Sequence, residues 1–264
     1  MSENDNQVPS ALVRVGDRTL AVRSATLVKR GLALATSLLL PRDAFFNYLL
    51  SGPPQDKGYL DSAIAECRTA VRLQPNNVEA HSDLAFVLCS KGDLDGAIAE
   101  YRTAIRLQPD YALAHSGLGS ALRKKGDLDG AIAEYRTAIR LQPDHANTHI
   151  LLGLALDGKG DREGVIAEYR TAIRIEPDDA WAHYSLGLAL KSKGNLDGAM
   201  AECRTAIRLQ PDFALAHYNL GLALEMKGDR LAALDEIEKA RELAPNNSSI
   251  AEADKRIRRK AGSG

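Results

Sequence analysis

Residues 101–109 read YRTAIRLQP, and residues 135–143 repeat the same nine letters. The phrase returns as YRTAIRIEP at 169–177, CRTAIRLQP at 203–211 and CRTAVRLQP at 67–75, and in a divergent form, IEKARELAP, at 237–245. Its prolines, Pro75, Pro109, Pro143, Pro177, Pro211 and Pro245, therefore stand 34 residues apart, and glycines at 58, 92, 126, 160, 194 and 228 keep the same step. Two helix-punctuating residue types in phase six times over are no accident of composition. A fixed period of this size is the signature of a repeat architecture.

Working outward from one proline gives the content of a unit. Between Pro109 and Pro143, Ala114, Leu118, Ala121 and Leu122 recur at the spacing of one helical face. Asp110 stands where it is expected to N-cap that helix. Gly126 is placed to end it in a left-handed conformation, and Asp127 and Asp129 put negative charge at the start of a second helix. Ala131, Ile132, Tyr135, Ala138 and Ile139 form the second apolar stripe, and Pro143 stops it. Small residues at Gly119, Ala131 and Ala138 let the two axes approach closely. One such pair cannot bury its apolar face alone, so neighbours must stack on a shared core.

Leu118-Gly119, Ala131, Tyr135, Ala138 and Pro143, at a period of 34, resemble the tetratricopeptide repeat pattern. The resemblance covers residues 44–247 in units starting at 44, 78, 112, 146, 180 and 214. It implies an all-α, right-handed superhelical solenoid of antiparallel helix pairs: five full repeats, one degenerate repeat and a C-terminal capping helix. The first unit is the degenerate one, because Gly52-Pro53-Pro54 interrupts its first helix and leaves 42–51 as a short stand-in. Ala85 replaces the usual glycine and Val165 the usual alanine.

The 264 residues carry 34 Lys+Arg against 35 Asp+Glu, a net charge of −1, which argues against a uniformly basic nucleic-acid binder. The longest charge-free helical-looking run, 31–41, is far short of the roughly 20 apolar residues of a membrane span. A leader peptide does not fit the charges that precede that run. Three cysteines without CxxC spacing argue for a reducing compartment, so the expected location is cytoplasmic.

Catalytic and metal-site patterns are weak. Each full repeat has a histidine at its fourth position (His81, His115, His149, His183, His217). Equivalent side chains about one helix-packing distance apart cannot share a zinc ion, so the ladder reads as structural. Glu100, Glu134, Glu168 and Glu202 recur once per repeat and read as solvated. Cys67 and Cys203 take the inward tyrosine position, and Cys89 reads as the most reactive thiol. No catalytic motif, cofactor or metal site is expected.

In the family the first helices build the concave wall, through the second, fifth, sixth, ninth, twelfth and thirteenth residues of each unit. These positions vary here from repeat to repeat, while the second helices are near copies. The wall opens with Glu79, Ser82, Asp83 and Phe86, then Ser116, Ser120, Arg123 and Lys124. It becomes apolar with Asn147, Ile150, Leu151 and Leu154, then Trp181, Tyr184, Leu188 and Lys191, and finally Leu215, Tyr218, Asn219 and Leu222. The family's carboxylate clamp is absent, since no fifth position is lysine and no ninth position is asparagine. The resulting expectation is a non-enzymatic scaffold or adaptor that holds a peptide or helix of another protein. Trp181, Tyr184, Leu188, Tyr218, Leu222, Ile150 and Leu154 would supply apolar contacts, and Arg123, Asn147, Lys191 and Asn219 polar ones. No nucleic acid is expected.

Two further arrangements stay open on the sequence: a homo-oligomeric scaffold, or a regulatory subunit of an enzyme assembly. Residues 1–43 lie outside the repeats. Leu12–Val22 alternates around Gly16-Asp17 as a hairpin would, and Ser24–Leu40 reads as an apolar helix that caps the open core or docks elsewhere. Residues 248–264 read as a basic capping helix and tail.

Overall fold

The computed structural model describes residues 11–15, 18–22 and 57–261. The expected helix at 24–40 and the stand-in at 42–51 lie outside them. Strands β1 (Ala11–Val15) and β2 (Arg18–Val22) pair antiparallel, from Ala11 opposite Val22 to Val15 opposite Arg18.

Twelve helices make up the rest of the described chain. Helix α1 (Lys57–Leu73) is the second helix of the degenerate unit. Five pairs follow: α2 (Val78–Lys91) with α3 (Leu94–Leu107), α4 (Ala112–Lys125) with α5 (Leu128–Leu141), and α6 (Ala146–Lys159) with α7 (Arg162–Ile175). Then come α8 (Ala180–Ser192) with α9 (Leu196–Leu209), α10 (Ala214–Lys227) with α11 (Arg230–Leu243), and α12 (Ser248–Ala261). Each helix packs on the next along the chain, and the repeat body is an all-α, right-handed superhelical solenoid.

The punctuation works as its chemistry requires. Gly126 ends α4 at φ 93°, a conformation that side-chain-bearing residues rarely adopt, and its N–H bonds the Arg123 carbonyl. Asp127 then caps α5 by accepting from Gly130 N–H at 2.9 Å. Asp110 does not cap α4. The N-cap is Tyr111, which makes no side-chain cap bond, because the Gln-Pro-Asp turn places the aspartate one residue too early. Only Asn77 and Asp179, which stand at the cap position itself, cap first helices through their side chains.

Tyrosines from the second helices plug the crossings. Tyr135 is buried against Gly119, where an added Cβ would come within 2.8 Å of its ring, and its hydroxyl meets Ser120 at 3.0 Å. In the preceding repeat Ala85 carries the methyl that bars this seat. Tyr101 lies instead against Gly117 of the next repeat, where a Cβ would stand 2.3 Å from the ring. Gly117 thus makes room for the ring that Ala85 excludes.

Polar lattices join the repeats on both sides. Each ladder histidine places Nδ1 2.6–2.7 Å from a glutamate of its own second helix and Nε2 2.9–3.1 Å from the preceding proline carbonyl. Glu100, Glu134, Glu168 and Glu202 are therefore half-buried partners of the ladder, not solvated groups. Pairs such as Lys125–Asp95, Lys159–Asp129 and Lys193–Glu163 tie each first helix to the second helix before it. Being exposed, each is worth only about 0.2–1 kcal/mol. At the far end α12 buries Ile250, Ala253 and Ile257 on the last pair, and its Arg256 forks onto Glu225.

Candidate functional site: the inner wall

Consecutive first helices touch one another, α2 with α4, α4 with α6 and α8 with α10. Consecutive second helices do not approach as closely among the described residues. The first helices therefore line the inside of the curve.

Along this wall Trp181 and Leu188 are exposed, 45% and 38%, as are Leu113 at 38% and Met226 at 61%. Trp181 stacks on Phe213, with centroids 5.9 Å apart and planes at 20°, and tilts against Tyr184 at 5.2 Å. Phe213 also meets Tyr184 at 5.0 Å. Phe213 was not in the sequence reading. It stands just before a unit begins, at the N-cap of α10, outside the positions assigned to the wall. The signal that could have found it is the aromatic replacing the aspartate that caps α8.

Tyr184 is itself buried, and burial raises its hydroxyl pKa. Its oxygen accepts from Asn219 Nδ2 at 3.4 Å, while Asn219 Oδ1 receives the Lys191 ammonium. The half-buried lysine is pushed below the usual lysine range by desolvation. Tyr184, Lys191 and Asn219 thus form one internal network bridging α8 and α10. Tyr218 and Leu222 are half-buried beside it.

Toward the N-terminal half, Ile150 is buried between helices, Leu154 half-buried and Asn147 exposed. Arg123 is half-buried. Its Nε makes no hydrogen bond, and its charge offsets the effect of burial on Tyr135 and Tyr169. The structure brings Trp181, Tyr184 and Leu188 together with Lys191, Tyr218, Asn219 and Leu222, and leaves Arg123 and Asn147 apart from them.

The chemistry of these groups is that of contact. Each ladder histidine has both ring nitrogens engaged, Nε2 at a proline carbonyl and Nδ1 at a glutamate. Burial raises the Cys67 thiol to about 12 and the Cys203 thiol to about 11, which holds both protonated at neutral pH. Cys89, expected to be the reactive one, is buried, because its face of α2 packs into the core. Among the described residues no group of three or more His, Cys, Asp or Glu side chains is arranged to hold a metal. Nor is any described helix long and apolar enough to cross a membrane.

Comparison with known proteins agrees with this geometry. A profile described as TPR repeat matches residues 87–126, 119–160, 158–194 and 187–228, and tetratricopeptide repeat profiles match 66–99 and 214–247. No curated protein sequence matches the chain. Among solved structures, YrrB, described as a TPR protein with an unusual peptide-binding site, is 24% identical with TM-score 0.59, over 72% of this chain and 97% of its own. MamA is 30% identical with TM-score 0.56, over 59% and 91%. The 41-to-end segment of MamA from Desulfovibrio magneticus RS-1 is 21% identical with TM-score 0.59, over 65% and 97%.

Proposed function

Because the chain belongs to the tetratricopeptide repeat family, a fold that ordinarily serves as a non-catalytic scaffold, we propose that it is a protein-interaction scaffold. Its inner wall holds a peptide or helix of a partner protein, anchored in the C-terminal half. The observation that carries this reading is Trp181, stacked on Phe213 and tilted against Tyr184 yet 45% exposed, with Leu188 exposed on the same helix. An aromatic backed by other aromatics is rigid before binding, and exposed Trp and Tyr side chains are the usual anchors of binding energy. The peptide-binding site reported for YrrB accords with this reading of a shared fold.

Trp181→Ala combined with Tyr218→Ala tests it. The variant should keep its helical content and lose partners captured by the wild-type protein from its native host. Equal capture by both forms would reject the groove assignment.

A further inference from the structure

The net charge of −1 conceals how the charges are distributed. Each of α3, α5, α7 and α9 carries two acidic residues, and every one is engaged. On α3, Asp95 holds Lys125 and Glu100 holds His81, and the other three helices repeat the scheme. The same helices each carry a pair of arginines four residues apart, such as Arg102 and Arg106 on α3, and α1 adds Arg68 and Arg72, ten paired arginines besides Arg162 at the start of α7. All ten are exposed, and none makes an ion pair among the described residues. The acids of these helices are taken up by lysines and histidines, and the arginines are left without a carboxylate partner among the described residues. The loops after α3, α5 and α9 each add one aspartate (Asp110, Asp144, Asp212) and the loop after α7 adds Glu176, Asp178 and Asp179, six acids against the ten arginines, so the outer face keeps an excess of positive charge.

The arrangement is regular in two directions. Within a helix the arginines sit about 6 Å apart, and from one repeat to the next the pair recurs roughly every 10 Å. All ten are arginine and none lysine. The planar guanidinium grips a carboxylate or phosphate with two parallel bonds, which an ammonium cannot do.

Between the pairs lie hollows with apolar floors and rims of mixed charge, Asp127 and Asp93 among them. A hollow of about 380 Å³ is floored by Ile98, Ala99 and Leu122 and rimmed by Arg102 and the Lys125–Asp95 pair. An equivalent hollow of about 400 Å³ lies one repeat earlier, over Ile64, Ala65 and Leu88 beside Arg68. Exposed leucines, Leu73, Leu107 and Leu141, follow the arginine pairs on α1, α3 and α5.

We propose that the outer face is a second docking surface, whose occupant is an acidic amphipathic segment of a protein partner. Its carboxylates meet the arginine pairs and its apolar side chains enter the hollows between repeats. The apolar floors favour a polypeptide over a nucleic-acid backbone, which has no aliphatic side chains to place there. Among the residues whose burial is described, these helices expose no aromatic side chain for bases to stack on. This surface extends the scaffold reading and is independent of the groove.

The test uses the full chain and a fluorescein-labelled helical peptide with glutamates paired at i, i+4 and leucines on the intervening turns. Three proteins are compared: wild type, Arg102→Glu/Arg136→Glu/Arg170→Glu, and the groove variant Trp181→Ala/Tyr218→Ala. Wild type and groove variant should bind alike, more weakly as salt rises. The triple reversal should lose at least about tenfold in affinity, as expected from three weakened surface pairs. If reversal lowers the melting temperature, the Arg→Gln triple replaces it and should still lose about threefold. Absence of wild-type binding, or equal binding by reversed and wild-type proteins, would overturn the proposal. Loss confined to the groove variant would return the peptide to the inner wall. Displacement of the peptide by a DNA duplex or by phosphatidylserine vesicles at equal charge would make phosphate the ligand and overturn the polypeptide assignment.

Discussion

At the scale of single residues, each ladder histidine does a job that its own helix does not reveal. The Pro143 carbonyl can only accept, so His149 Nε2 carries a proton, while Nδ1 faces Glu168 at 2.7 Å. The hydrogen bond that Nδ1–H donates to Glu168 raises the pKa of the ring above its ordinary value of 6.5, more than burial lowers it. A raised folded-state pKa means stability that is fully present below the unfolded value and lost as pH rises through the folded one. The melting temperature of wild type should therefore exceed that of His149→Gln by a margin that is largest below pH 6.5 and shrinks as pH rises above it. A margin independent of pH would remove the imidazolium from the account. A second residue-scale prediction concerns the tyrosine seats. Gly119→Ala should cost about 1–3 kcal/mol in urea unfolding, because Tyr135 loses its seat and the following repeat offers Leu151 where Tyr101 finds Gly117. A cost near zero would show that the ring has another place to go.

At the scale of elements, α12 closes the core that the last pair leaves open. Ile250 and Ile257 are fully buried and lie in one cluster with Ile237 of α11. Ile257→Ala should cost about 2–5 kcal/mol. Solenoid repeats contact only their neighbours, so hydrogen exchange should quicken in α10 and α11 before α4–α7. Uniform acceleration along the chain would contradict this local coupling.

The elements also show what a sequence discloses. Pro and Gly at fixed phase gave away every helix pair, because each acts on its own turn. The cap at Asp110 failed because one residue of register decides whether a side chain reaches the orphan N–H groups. Cys89 was placed on the surface because one helix wheel does not say which face its neighbours cover. The glutamate partners of the histidines were missed because the two lie 19 residues apart on different helices.

At the scale of the whole molecule, the wall and the outer face differ in composition. The wall varies between repeats and the second helices hardly vary, a contrast fully legible in the sequence. The packing of Phe213 under Trp181 was not, since a residue at a helix cap joins the wall only when the next helix is laid beside it. The arginine face was hidden by addition, because charges that cancel in a sum are separated in space by the pairs that consume the acids. The central claim, that a partner segment sits on the C-terminal half of the wall, has a built-in reporter: Trp181 is the only tryptophan in the chain. Titrating the captured partner segment into the wild-type protein while recording Trp181 emission tests it most directly. The account predicts a blue shift and protection from acrylamide quenching, as the exposed edge of the indole is covered. Saturable binding that leaves emission and quenching unchanged would place the partner elsewhere and contradict it.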